Sequence, residues 1–178
     1  MRLKNRISLL VIASTAILGY SNYANAAGTA NGQLGVTVNV TAGCTVGIAD
    51  GQPWATLDFG TISKITADIG ADASLASGLN ITCTDGLGYK LTFDDGLYGD
   101  GAKLRHMQIE AGTKQIPYRL YTALGGTEIL ADTEQAYTGT GQIEDVSIYG
   151  LISLADQGTV VAPAAGRYND TVVVTLTW

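Results

Sequence analysis

The sequence predicts an all-β domain of the sandwich type. Three observations carry that reading. Short runs of alternating apolar and polar residues recur along the chain, with turns between them. The 23 glycines, set against three prolines and frequent threonine, valine and tyrosine, suit a chain of strands and tight turns. Charged residues make up only 15%, which does not fit a disordered chain.

In chain order, residues 1–26 read as an export signal. Arg2, Lys4 and Arg6 form a basic start, and residues 7–18 are an apolar run too short to span a bilayer comfortably. Ala24-Asn25-Ala26 is a small-x-small cleavage site, so the mature chain is expected to begin near Ala27. An uncleaved anchor helix is the alternative. No later segment is apolar enough to cross a membrane. About 150 residues remain, which suits one domain.

Residues 27–41 contain the next strand. Leu34, Val36, Val38 and Val40 alternate with Gly35, Thr37, Asn39 and Thr41, giving one apolar and one small or polar face. Two uses fit this pattern equally: an ordinary first strand of the domain, or an edge strand donated to another copy. The domain itself is expected over residues 42–178. Residues 44–48 read as a short strand and 49–53 as a turn. Residues 54–61 put Leu57 and Phe59 on one face, and 67–78 are a small-residue connection with room for a loose helical turn. Residues 79–84 place Leu79, Ile81 and Cys83 together, and 89–94 do the same for Tyr89, Leu91 and Phe93. Asp94-Asp95-Gly96 and Gly99-Asp100-Gly101 are turns.

Residues 104–110 allow two phases, one through Leu104, His106 and Gln108 and one through Met107 and Ile109. Residues 115–122 align Ile116, Tyr118 and Leu120. Gly125-Gly126 turns the chain so that residues 127–130 pair back. Residues 143–154 read as one strand with Val146, Ile148 and Gly150 in phase, and 158–166 as a loop around Pro163. The last strand, residues 167–178, carries Tyr168, Val172, Val174, Leu176 and Trp178 on one face, with Asp170 in the same phase.

Cys44 and Cys83 are the two cysteines, and in an exported chain they are expected to form one disulfide. The loop they close is worth about 4 kcal/mol in the chain-entropy account. No cysteine or histidine has zinc-ligand spacing. His106 is the sole histidine and has no nucleophile motif near it, so no catalytic residue is assigned. Asp94, Asp95 and Asp100 lack the spacing of a calcium loop and read as turn formers. No metal or cofactor is expected. Tyr98 and Tyr137 offer faces for sugar stacking, but suit ordinary strand and loop positions as well. Loss of residues 1–26, with their three cations, takes the formal charge from −6 to −9. The remaining basic residues are scattered, which makes nucleic acid a poor partner.

Five segments together resemble one family: Gly43-Cys44-Thr45-Val46, Leu57-Asp58-Phe59-Gly60, Tyr118-Arg119-Leu120-Tyr121, Val146-Ser147-Ile148-Tyr149-Gly150, and Gly166-Arg167-Tyr168-Asn169-Asp170 with the run to Trp178. In their order, the cysteine spacing and the aromatic C-terminus, they are similar to the spore coat U domain family. Most of its members are subunits of archaic chaperone–usher pili. The resemblance implies an incomplete immunoglobulin-like β-sandwich that lacks its last strand and is completed by donor-strand exchange. It implies Leu34, Val36, Val38 and Val40 as the donor row. Tyr168, Val172, Val174, Leu176 and Trp178 become the acceptor row on the final strand. The implied partners are other copies or related subunits, a periplasmic chaperone and an outer-membrane usher, in a surface pilus used for adhesion and biofilm formation. A secreted or tip-located adhesin or sugar-binding module is the rival expectation.

Overall fold

The computed structural model describes residues 28–47, 53–73, 79–101, 104–159 and 161–178. The expected export signal, most of the expected turn at 49–53 and part of the 67–78 connection lie outside the described residues. The chain divides into two units, Met1–Asn39 and Val40–Trp178. In the first, residues 28–39 carry no regular secondary structure.

The second unit is all β apart from one 3-10 turn. Its strands are β1 (Cys44–Val46), β2 (Ile69–Asp72), β3 (Leu79–Cys83), β4 (Gly88–Phe93), β5 (Arg105–Ile109) and β6 (Gln115–Tyr121). They are followed by β7 (Gln135–Thr138), β8 (Ile143–Val146), β9 (Tyr149–Ile152), β10 (Tyr168–Asn169) and β11 (Val174–Thr177). Three sheets result, in the orders β1-β3-β8, β11-β4-β7 and β10-β5-β6-β9-β2, with every pairing antiparallel.

The two three-stranded sheets are halves of one bent ribbon. β3 runs on into β4, and β7 into β8, across a bend closed by Gly86 N–H to Gly139 O at 2.8 Å, Gly139 N–H to Leu87 O at 2.8 Å and Gly141 N–H to Cys83 O at 3.2 Å. Side-chain phase survives the bend: Leu79, Ile81 and Cys83, then Tyr89, Leu91 and Phe93, are all buried. Gly139 is needed there, because a Cβ would meet the Cys83 side chain and the Thr84 carbonyl. β7 and β8 line one flank of the bent strand, so β1 and β11 share the other, β1 beside β3 and β11 beside β4.

Most of the expected strands occur with the expected inward residues, Ile116, Tyr118 and Leu120 among them. The hairpin return after Gly125-Gly126 is present, through Thr122 N–H to Thr127 O at 2.9 Å and Ile129 N–H to Leu120 O at 2.7 Å. Four expectations are corrected. The 67–78 connection holds β2, not a helical turn, because Ile69–Asp72 finds a full ladder along β9. Residues 54–61 form no strand, although Leu57 and Phe59 do point one way, half-buried against the core. Residues 143–154 are two strands, since the chain leaves β3 after Val146 and joins β6 and β2 from Tyr149. Residues 167–178 are likewise split. β10 pairs with β5, and β11 crosses to β4. In β5 the Met107 and Ile109 phase points inward, preceded by a buried Arg105.

Candidate functional site

Of the residues singled out at the end of the chain, Val174 and Leu176 lie on β11 and Val172 and Trp178 flank it, whereas Tyr168 sits on β10 beside β5 in another sheet and is not part of that strand. Val174–Thr177 pair with Phe93–Lys90 of β4, and β11 is the outermost strand of its sheet. β1 is outermost in the adjoining sheet. The central strands bury their apolar side chains, while a second set of apolar residues around the core is covered only in part. Tyr168, Val172, Val174 and Leu176 pack on the core but stay half-buried, as do Cys44 and Val46 of β1 and Trp54, Leu57 and Phe59. Trp178 is in phase with the row and 62% exposed.

The start of the final strand is held by side chains. Asp94 N–H donates to Val173 O at 3.0 Å, and Asp94 Oδ1 accepts from Val173 N–H and Gly96 N–H, each at 2.9 Å. Asp170 Oδ1 accepts from Leu97 N–H at 2.9 Å, and its Oδ2 accepts from the Tyr118 hydroxyl at 2.6 Å. Burial, and then that carboxylate, push the Tyr118 hydroxyl well above the ordinary tyrosine range, so it stays a donor. Arg105, 2% exposed, donates to the carbonyls of Ile129 at 2.8 Å, Asp94 at 2.9 Å and Phe93 at 3.3 Å. Burial pushes its guanidinium below the ordinary value, and the facing Tyr118, Asp95, Asp94 and Asp170 offset that cost only in part.

Four of the five quoted motifs form one chain of contacts. A Cβ on Gly150 would run into Leu57 and Phe59. Phe59 meets Tyr118 edge-on, with centroids 6.3 Å apart and planes at 65°. Tyr118 bonds Asp170. The remaining motif supplies Cys44, joined to Cys83 by a disulfide between opposed residues of β1 and β3. Arg105 was missed from the sequence, because its partners are carbonyls 11 to 24 residues away.

In the N-terminal segment Leu34, Val36, Val38 and Val40 are 88%, 82%, 87% and 75% exposed. Elsewhere, His106 sits half-buried on β5 opposite Pro117. Asp94, Asp95 and Asp100 accept from backbone amides of their own turns. Tyr137 stacks on Tyr89 at 5.3 Å and 15°. Among the described residues no group of three His, Cys, Asp or Glu side chains is placed to hold a metal.

Residues 30–175 match the Spore Coat Protein U domain. Protein U of Myxococcus xanthus is 33% identical over 185 residues, covering 98% of this chain and 99% of that protein. In fold, the chain resembles one in the pre-assembly complex of the chaperone CsuC and the tip adhesion subunit CsuE, from the archaic chaperone–usher Csu pili of Acinetobacter baumannii. The TM-score is 0.50 and the identity 15%, with 78% of this chain covered; the chain spans 40% of the length of the one it matches. It also resembles a chain from the structure of a chaperone–usher pilus, at a TM-score of 0.50 and 20% identity, with 86% of this chain and 99% of that one covered. The chain thus shares its fold with chains found in chaperone–usher pilus structures, the family match covers residues 30–175, and the relative spans nearly the whole chain. The chain belongs to the spore coat protein U domain family.

Proposed function

We propose that this chain is a structural subunit of a chaperone–usher pilus, exported to the periplasm and polymerised at the cell surface by strand donation. It is read as a binding and assembly protein, not an enzyme. The observation that carries the reading is β11: among the described residues it is laddered on one side only, at the edge of its sheet, with Val172, Val174 and Leu176 half-buried along it. A strand seated beside it completes the main-chain ladder and covers that row, and addition of a strand to an open edge is an established mode of recognition.

The donor is the segment 27–41 of the next copy. Its alternation matches a half-buried strand, and its four apolar residues are exposed. Seating them contributes about 6–12 kcal/mol before ordering costs, at roughly 1.5–3 kcal/mol each. A periplasmic chaperone supplies the covering strand first, and an outer-membrane usher exchanges it for the donor. The kinship to pilus chains in fold supports these partners.

The test is co-expression with a periplasmic chaperone of the archaic chaperone–usher type. The mature chain should purify as a chaperone complex and convert to heat-sensitive multimers on gels. A chain that folds alone, binds no chaperone and stays monomeric overturns the reading.

A further inference from the structure

We propose that Asp170 and Asp94, with the Tyr118 hydroxyl, are positioning residues for strand acceptance: they set the start of the final strand while its outer edge is empty. The proposal rests on the reading of β11 as the acceptor. Only residues 174–177 of the final strand lie in a ladder, yet the apolar row begins at Val172. Residues 170–173 belong to no strand. Two carboxylates hold them. Asp94 grips Val173 through both its backbone N–H and its Oδ1. Asp170 ties the segment to Leu97 on one side and to β6, through Tyr118, on the other.

The backbone from which Asp94 projects is itself fixed, because Arg105 is buried and donates to the carbonyls of Phe93 and Asp94. A segment supported on one side loses backbone entropy when a partner orders it. A segment ordered beforehand offers a finished template, so the effect of the carboxylates falls on association. Hydrogen bonds to charged groups are the strong ones, and removing the Tyr118–Asp170 bond is expected to slow strand capture about tenfold.

The experiment uses the full mature chain purified with its chaperone and a fluorescent peptide of residues 32–42, and follows capture and release of the peptide. Tyr118→Phe keeps the ring against Phe59 and removes only the hydroxyl; Asp170→Asn weakens the second acceptor. Both are expected to capture peptide about tenfold more slowly and release it at the wild-type rate. Arg119→Ala is the control, since its bonds go to Asp156 and Glu128; it should capture at the wild-type rate while melting lower. A second measurement needs no variant: in the wild-type chain released from chaperone, the Val173 and Leu97 amides should exchange hydrogen slowly before peptide is added. Wild-type capture rates in both variants, an equal slowing in Arg119→Ala, or rapid exchange at Val173 each overturn the proposal and leave the acceptor reading standing. A wild-type chain that captures no peptide overturns the acceptor reading itself.

Discussion

Gly150 marks how little slack the core has. Leu57 and Phe59 lie against its Cα, where a single methyl would collide with both. Gly150→Ala is expected to destabilise the fold by about 1–3 kcal/mol, read from the urea midpoint at unchanged slope. The disulfide acts through the unfolded chain. Replacing Cys44 and Cys83 together by serine should cost about 2–5 kcal/mol, and the exported wild-type chain should weigh two protons less than its reduced form. Arg119 closes a third feature. It binds Asp156 with two hydrogen bonds, at 2.7 and 2.9 Å, and Glu128 at 2.8 Å, and so ties β6 to the 3-10 turn Leu154–Gln157. The guanidinium holds the Asp156 carboxyl below its ordinary value of 3.8. A depressed acid stabilises the fold fully above that value and loses the contribution as pH falls through its folded pKa. A double-mutant cycle on Arg119 and Asp156 should therefore give a coupling of about 1 kcal/mol at pH 7, shrinking only below pH 3.8.

At the scale of elements, the N-terminal segment and β11 are read as two halves of one joint, and they are expected to fail differently. Deletion of residues 27–41 should leave the chaperone complex intact and abolish multimers. Val36→Asp and Val38→Asp should do the same, because an unpaired carboxylate in an apolar row costs several kcal/mol. Thr37→Ser, on the opposite face, should assemble as wild type. Truncation of residues 176–178 acts on the acceptor and should abolish recovery of the chaperone complex, since Leu176 packs on the core. Co-purification and gel analysis of unheated samples separate these outcomes. A deletion variant that still polymerises sinks the donor assignment, and one that fails to fold even with chaperone makes the segment an ordinary first strand.

At the scale of the whole molecule, the chain carries a formal charge of −6, or −9 if residues 1–26 are removed as expected, while residues 28–42 and 171–178 contain no charged side chain. The proposed joint would therefore be apolar and main-chain in character, between like-charged copies that repel one another. Raising salt from about 0.01 M to 0.15 M shortens the screening length from about 30 Å to about 8 Å, so self-assembly should accelerate, as light scattering would show. A rate that falls with salt would instead mean complementary charged patches. The sequence by itself determined the cysteine pair, the family and the strands with strict alternation, such as Leu79–Cys83, Gly88–Phe93 and Gln115–Tyr121. Alternation is a local property, set by the fact that successive side chains leave opposite faces. It was silent where strands are short or small-sided, as in Ile69–Asp72 and Gln135–Thr138. Only the tertiary structure decided that residues 143–152 and 168–177 each serve two sheets, since alternation runs unbroken through a crossover and does not say which strand lies alongside. It alone placed Arg105 among carbonyls and Asp170 on Tyr118, because those partners lie 11 to 52 residues away and come together only when the sheets close.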